Sequence, residues 1–296
     1  MIQTVTLKNL TNGAEMSFDC YDFILKSYSF DGVTMQHNKS KTTKQVGATI
    51  TSTQVATRPI SLIGYTQGQN TLILDQNKQT LINVTAPFTE VLVTVTTDQQ
   101  TYQIETKSEN VVKWGENWAN NNDMFTMFSI SLIAPGTVWK DTQPTTVSFE
   151  GYHNNFTFPF YSTSSNPLIF GYPLLYKPIS VVNSGGMRIG LTFIFTINST
   201  ITGLTITNTV TNAAFILKST LVAGDMVTIC TTFGQKSVSI QNGSTVTNGL
   251  KLVDLINSTW LQLEPGNNTF ELSCTTGSLD SLTGYMTYTN EYWGLI

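Results

Sequence analysis

Between Met187 and Ile197, every second residue is apolar. Met187, Ile189, Leu191, Phe193, Phe195 and Ile197 would share one face of a β-strand, since successive strand side chains point to opposite faces. Ile194 is the single apolar residue on the other face. Such a pattern predicts a strand that is buried on one face only, as in the antiparallel sheets of a β-sandwich.

Similar short apolar runs, separated by turn residues, extend through the whole chain. They predict strands at Thr4–Leu7, Phe23–Phe30, Ile60–Tyr65, Val91–Thr96, Tyr102–Thr106, Phe125–Ile133, Thr202–Thr207, Ala214–Leu217, Met226–Thr231, Ser237–Ile240, Trp260–Leu263, Thr269–Cys274 and Tyr285–Tyr292. Asn242-Gly243 suits a hairpin turn. Helix signals are few: Gln67–Leu81 could hold one or two turns, and Leu250–Ile256 could form a short helix or a strand. The predicted fold class is all-β, with little helix.

The low charge content of the chain disfavours nucleic acid as a partner. Charged residues make up 11% of the chain, against about 25% in an average globular domain. The formal net charge is −4, and the single loose cluster of cations, Lys39, Lys41 and Lys44, is interpreted as a solvated loop. Binding to nucleic acid is therefore disfavoured, because it needs many cations aligned with phosphates. A surface of neutral hydroxyl and amide groups suits a protein that packs permanently against itself or other proteins.

The N-terminus and the cysteines do not suggest secretion, and the sequence has no membrane-spanning run. The N-terminus has no basic region followed by an apolar core, and no window approaches about 20 uninterrupted apolar residues. We therefore expect no membrane partner and synthesis in the cytoplasm. Cys20, Cys230 and Cys274 are odd in number and widely spaced, which favours buried thiols over a disulfide framework or zinc site.

No catalytic, cofactor-binding or metal-binding residues can be assigned. The two histidines, His37 and His153, stand in polar surroundings, and the sequence has no nucleophile elbow. Carboxylates are scattered, so no glycosidase-like pair is located. The glycines of Gly185–Gly190 lead into a strand, whereas a phosphate loop leads into a helix, so we interpret them as a turn. The sequence predicts a protein without enzymatic activity and without a cofactor.

Several aromatic residues allow an alternative function, the binding of host cell-wall saccharides. Sugar rings stack on aromatic faces, and the candidates are Trp114, Trp118, Tyr152, Tyr161, Tyr172, Tyr176 and Trp293. The competing interpretation is that these are half-buried core or interface aromatics, which are commoner than sugar platforms.

The best domain boundary lies between Pro135 and Pro144, where a Pro-Gly stop is followed by a polar linker. We predict an N-terminal domain at residues 1–138 and a C-terminal domain at residues 139–296. Residues 145–177 form an irregular, aromatic-rich segment within the second domain. Its prolines remove ladder hydrogen-bond donors, so it cannot be a central strand.

The order of several short motifs resembles the distal tail proteins of siphophages. In the first half they are Arg58-Pro-Ile-Ser-Leu-Ile-Gly-Tyr, Thr85-Ala-Pro-Phe-Thr and Phe128-Ser-Ile-Ser-Leu-Ile-Ala-Pro-Gly-Thr-Val-Trp. In the second half they are Val181-Val-Asn-Ser-Gly-Gly, Gly224-Asp225 and Pro265-Gly266-x-Asn268. The segment 145–177 is longer and richer in proline than a minimal family member needs, and the segment 110–123 has no counterpart that we can place.

The resemblance implies an N-terminal β domain that forms a ring and a galectin-like C-terminal β-sandwich. It implies self-assembly, commonly as a hexamer, around a channel through which the genome passes at the tip of the phage tail. The expected partners are the major tail tube protein, the tail-associated hub protein and receptor-binding proteins. A galectin-like topology does not bring a sugar site with it.

Overall fold

The computed structural model describes residues 2–18, 21–30, 32–149, 151–154, 171–174 and 178–295. The chain divides into two compact units. Unit 1 contains Met1–Thr142 and Glu291–Ile296, and unit 2 contains Gln143–Asn290.

Antiparallel strands dominate both units, which confirms the predicted all-β class. The strands up to residue 142 are β1 Ile2–Asn9, β2 Glu15–Ser17, β3 Phe23–Phe30, β4 Met35–Ser40, β5 Thr49–Val55, β6 Arg58–Gln67, β7 Glu90–Thr97, β8 Thr101–Ser108, β9 Lys113–Trp114, β10 Phe125–Ala134 and β11 Trp139–Asp141. The later strands are β12 Thr145–Ser148, β13 Gly151–Asn154, β14 Gly171–Leu174, β15 Ile179–Asn183, β16 Thr192–Ile197, β17 Ile201–Asn208, β18 Ala213–Leu221, β19 Asp225–Cys230, β20 Ser237–Asn242, β21 Thr245–Asn248, β22 Gly266–Ser273, β23 Leu282–Tyr288 and β24 Glu291–Tyr292.

Unit 1 is built on one large sheet, in which the main strand order is β2-β1-β7-β8-β10-β6-β3. The strands β10 and β6 pair along their whole length, from Phe125 opposite Gln67 to Ala134 opposite Arg58. Alternate residues of β7 and β10 are fully buried, as the period-2 pattern predicts. The core includes Leu7, Leu62, Val93, Ile130 and Trp139.

One helix, α1 (Thr71–Val84), packs on this sheet through Leu74, Leu81 and Val84. It has 14 residues and so exceeds the one or two turns that we predict from sequence. The side chain of Asn70 caps its first turn by accepting a hydrogen bond from the Ile73 amide, and burial of one apolar face stabilises the rest.

The C-terminal strand β24 belongs to unit 1. It pairs with β11, with Trp139 opposite Tyr292. The division of the chain therefore differs from the predicted ranges 1–138 and 139–296: the first unit continues to Thr142 and takes back Glu291–Ile296. A two-residue strand that pairs with a distant three-residue strand leaves no periodic signal in the sequence.

Unit 2 consists of two main sheets with a shared apolar core. The strand orders are β12-β23-β16-β19-β20-β21 and β15-β22-β17-β18. Phe193, Phe195, Phe215 and Phe270 are all buried in this core. A separate ribbon joins β13 and β14, with Pro173 opposite Tyr152. A proline is tolerated there because such a ribbon has free edges.

The segment 145–177 contributes an edge strand, β12, to the six-stranded sheet. Residues 150, 155–170 and 175–177 lie outside the described residues, so the interpretation of the segment as irregular applies there only as a prediction.

The Met187–Ile197 run alternates in burial as predicted, but the regular strand begins only at Thr192. Ile189 makes an isolated bridge with Leu263. At Gly190 a side chain would collide with the backbone of Thr232, so the ladder is interrupted where two chain segments approach closely. Trp260–Leu263 is not a strand, and Leu250–Ile256 contains a short 3₁₀ helix at Leu250–Leu252.

Candidate assembly surfaces

The described residues contain no group of three or more His, Cys, Asp or Glu side chains that could hold a metal ion. His37 lies exposed on β4, where its ring nitrogen Nδ1 is 2.9 Å from the Thr53 hydroxyl. The side chain of His153 is not described. None of the helices in the described part of the chain is long and apolar enough to span a bilayer.

The described cysteines are both free, but the prediction that they are buried is wrong. Cys230 and Cys274 are only partly covered. Cys230 lies in β19, where it faces away from the core between the buried residues Ile229 and Thr231. Cys20 lies outside the described residues.

The motif Pro265-Gly266-x-Asn268 builds a turn around a buried amide. The Asn268 side chain is fully buried. Its oxygen accepts from the Glu264 amide at 3.0 Å, and its nitrogen donates to the Glu264 carbonyl at 2.7 Å and the Gly266 carbonyl at 3.1 Å. Gly266 has φ +87°, a left-handed conformation that glycine adopts without strain. The asparagine therefore fixes the shape of the turn before β22.

In the other two motifs of unit 2, a buried side chain also holds a turn through hydrogen bonds. The buried Asn183 amide donates to the carbonyls of Met187 at 2.8 Å and Leu263 at 3.2 Å, and its oxygen accepts from the Gly185 amide. The Asp225 carboxylate accepts from the Val222 amide at 2.8 Å and from the Asn242 side chain at 2.8 Å. These motif residues shape turns of the sandwich, so their role is structural.

Three of the aromatic candidates for sugar binding have described side chains. Trp114, Trp118 and Trp293 all belong to unit 1, whereas the saccharide alternative concerns the second sandwich. The ring of Trp114 packs edge-on against Phe128 inside that unit. The side chains of Tyr152, Tyr161, Tyr172 and Tyr176 are not described.

The most exposed element of unit 1 is the hairpin of β4 and β5, which we call the arm (residues 35–55). Every residue of both strands is exposed, and among the described strands they pair only with each other. Met35 lies opposite Val55, and Lys39 lies opposite Ile50. The apolar side chains Met35, Ile50 and Val55 are 42–53% exposed. The cluster Lys39, Lys41 and Lys44 occupies the outer part of the arm.

The arm emerges beside the open edge of the large sheet. Strand β3 ends the sheet order and pairs only with β6 among the described strands. Its eight residues leave a row of backbone groups without a ladder partner on the outer side. A long open edge of this kind is a template for pairing with another chain.

The opposite end of β6 carries a surface that we call the acidic end. It consists of Tyr21, Asp22, Glu116, Trp118, Asp123 and Met124. Two backbone hydrogen bonds bring its segments together: the Gln67 amide donates to the Asp22 carbonyl at 3.1 Å, and the Gly68 amide donates to the Met124 carbonyl at 3.2 Å. Tyr21, Trp118 and Met124 are 65–76% exposed. Three of these six residues, Glu116, Trp118 and Asp123, lie in the 110–123 segment, for which the resemblance supplied no counterpart.

Comparison with known proteins gives a family match and a fold match. Residues 184–292 match the family model described as siphovirus-type tail component, C-terminal domain. No curated protein sequence matches the chain.

Among solved structures, the chain is similar to the Dit protein of phage SPP1, described as a paradigm of the hub adsorption apparatus in phages that infect Gram-positive bacteria. The TM-score is 0.66 and the identity 14%, over 97% of this chain and 98% of that one. The baseplate of phage P2, in its activated conformation with Ca, matches with a TM-score of 0.48 and 12% identity, over 98% of each chain.

The family match covers most of unit 2, including its motif residues Gly224, Asp225 and Asn268. The similarity to the SPP1 protein extends the shared fold through unit 1 as well. The resemblance drawn from the motifs is thereby confirmed: residues 184–292 match the C-terminal domain of a siphovirus-type tail component, and the whole chain shares the fold of the SPP1 protein.

Proposed function

We propose that this protein is a structural component of the virion that forms a ring at the distal end of a long non-contractile phage tail. Unit 1 forms the ring, and unit 2 is a galectin-like sandwich. The protein acts through shape and contact and has no enzymatic activity. The observation that carries the proposal is the arm, which is fully exposed in the single chain.

An isolated two-stranded hairpin is marginally stable in water, because it buries little apolar surface. The arm nevertheless stays paired from Met35–Val55 to Ser40–Thr49, with one shift of register between Asn38 and Lys39, and it exposes apolar side chains. These features are expected of an element that is covered in an assembly. A neighbouring copy that covers the arm would also cover the open edge of β3, from which the arm emerges.

The resemblance supplies the partners of the proposed ring. It would join the major tail tube protein to the tail-associated hub protein, and unit 2 would support receptor-binding proteins. The genome would pass through the central channel without being held. The protein would be made in the cytoplasm of the bacterial host and reside at the tail tip.

The proposal is tested by removing the arm. Residues 35–55 are replaced by a Gly-Gly turn, and the mass in solution is measured by analytical ultracentrifugation over a wide concentration range. We expect the complete chain to form a discrete closed oligomer, a hexamer by resemblance, and the shortened chain to stay folded and monomeric.

A matched control shortens another exposed hairpin, β20–β21 in unit 2, at the turn Asn242–Ser244. This control should assemble like the complete chain. A complete chain that remains monomeric at all concentrations, alone and with the hub protein, would refute the proposed ring.

A further inference from the structure

The arm differs from the rest of unit 1 in the sign of its charge. From Gly32 to Leu74 the sequence contains no Asp or Glu, and the arm carries Lys39, Lys41 and Lys44. The remainder of unit 1 contains thirteen acidic and seven basic residues. The three arm lysines are exposed, and none forms an ion pair with any described residue. A cationic arm therefore extends from an anionic body.

The acidic end carries three negative charges, and the arm carries three positive charges. Asp22, Glu116 and Asp123 are exposed and make no ion pair within the described residues. Some other carboxylates of unit 1 are paired with lysines, for example Glu15 with Lys8 at 3.0 Å and Glu90 with Lys107 at 3.6 Å. Asp75, Glu105 and Glu109 are exposed without an ion pair to a described residue, but Asp75 lies on α1, Glu105 on β8 and Glu109 directly after β8. The acidic end also exposes Tyr21, Trp118 and Met124, as the arm exposes Met35, Ile50 and Val55. The two surfaces thus carry opposite charges, and each of them also exposes apolar side chains.

Within one copy, the arm and the acidic end are at opposite ends of the same strands. The arm leaves the sheet at Phe30 and Arg58, and the acidic end adjoins Gln67 and Phe125. The strand β6 between them has ten residues, or about 30 Å at the usual rise of a strand. A surface at one end that complements the surface at the other produces a head-to-tail contact, which closes into a ring when the rotation permits.

We infer that the arm of one copy docks on the acidic end of the next copy, with Lys39, Lys41 and Lys44 facing Asp22, Glu116 and Asp123. This inference rests on the proposed ring and names the surfaces that join its subunits. The exposed indole of Trp118 can also receive a lysine ammonium group on its face. Because the paired charges are near the surface, added salt weakens the contact, since the Debye length falls from about 8 Å at 0.15 M to about 3 Å at 1 M ionic strength.

Charge reversal tests this inference. One variant carries Lys39→Glu, Lys41→Glu and Lys44→Glu, and a second carries Asp22→Lys, Glu116→Lys and Asp123→Lys. We expect each variant alone to dissociate about ten- to hundredfold more readily than the unchanged protein, as three exposed ion pairs allow. An equimolar mixture should assemble again, because each reversed surface then meets an opposite charge on the other variant. Circular dichroism confirms that both variants are folded.

The control reverses three exposed lysines elsewhere, Lys113→Glu, Lys236→Glu and Lys251→Glu, with the same change in net charge. It should assemble like the unchanged protein. Rings that survive reversal of the arm would overturn the inference but leave the proposed ring intact. Unchanged protein that stays monomeric would overturn both. Loss of duplex DNA binding on arm reversal, with assembly unaffected, would instead assign the arm to nucleic acid.

Discussion

The guanidinium group of Arg58 donates a hydrogen bond to the main-chain carbonyl of Trp293, 235 residues later in the sequence. Arg58 is buried, and its Nε also donates to the Thr137 carbonyl at 2.8 Å. Burial lowers the pKa of Arg58, but an arginine stays charged at neutral pH. This one side chain thus ties the start of β6 and the C-terminal segment together within unit 1.

We expect Arg58→Met to lower the free energy of unfolding of unit 1 by about 2–4 kcal/mol, because it removes the charged hydrogen bonds of a buried side chain to the carbonyls of Thr137 and Trp293. Arg188→Met is the matched control: its side chain is 61% exposed and pairs with Glu264, so about 0–1 kcal/mol should be lost. Urea denaturation followed by tryptophan fluorescence measures both variants. Equal losses in the two variants would contradict the structural role of Arg58.

The turn before β22 depends on Asn268 and not on its neighbour Asn267. Asn268→Ala removes the bonds to Glu264 and Gly266 and should lower the stability of unit 2 by about 2–3 kcal/mol. Asn267 is exposed, so Asn267→Ala should stay within about 0.5 kcal/mol of the unchanged protein. Thermal denaturation of the three proteins compares them directly, and a harmless Asn268→Ala would show that the motif does not build the turn.

The stability of unit 2 should respond to acid through Asp254. Its carboxylate accepts a hydrogen bond from Lys218 at 2.7 Å and another from the Asn257 side chain, which lower its pKa to about 2. A carboxyl whose pKa is depressed on folding stabilises the folded state above the unfolded pKa of about 4, and this stabilisation is lost as pH falls toward 2.

We therefore expect Asp254→Asn to lower the melting temperature at pH 7, and the difference from the unchanged protein to disappear between pH 4 and pH 2. Asp280→Asn, at an exposed aspartate, is the control. A difference in melting temperature that persists at pH 2 would show that the charge of Asp254 is not what stabilises unit 2.

Phe88 combines full exposure with a left-handed backbone, at φ +62°. A bulky residue is strained in that conformation, whereas glycine is not. Because the exposed ring packs against little in the single chain, we expect Phe88→Gly to stabilise the isolated subunit by about 0.5–1 kcal/mol. Chemical denaturation checks this, and a clear loss of stability would show that the phenyl ring is packed after all.

The sequence predicts the central strands of both units well, because each buries one face of a sheet. The run from Phe125 to Ile133 lies within β10 of unit 1, and the run from Thr202 to Thr207 lies within β17 of unit 2. The arm was not predicted as strands, and its lysines were interpreted as a solvated loop. Both faces of the arm are exposed, so burial imposes no alternation of apolar and polar residues.

The proposed assembly surfaces were harder to predict than the fold, because they depend on contacts between distant segments. The acidic end is assembled from residues 21–22 and 116–124, which only the pairing of β3, β6 and β10 brings to one place. Likewise, the contact of Arg58 with Trp293 depends on the return of β24 to unit 1. Contacts between segments so distant in sequence have no signal in composition or periodicity.

Native mass spectrometry of the complete chain tests the central claim, that this protein works by assembling with itself, most directly. We expect one dominant closed oligomer at physiological salt, with six copies of the 32.6-kDa chain by resemblance to the family, and loss of that oligomer when residues 35–55 are removed. A single monomeric species at all concentrations, or an oligomer of the same mass without the arm, would contradict the account.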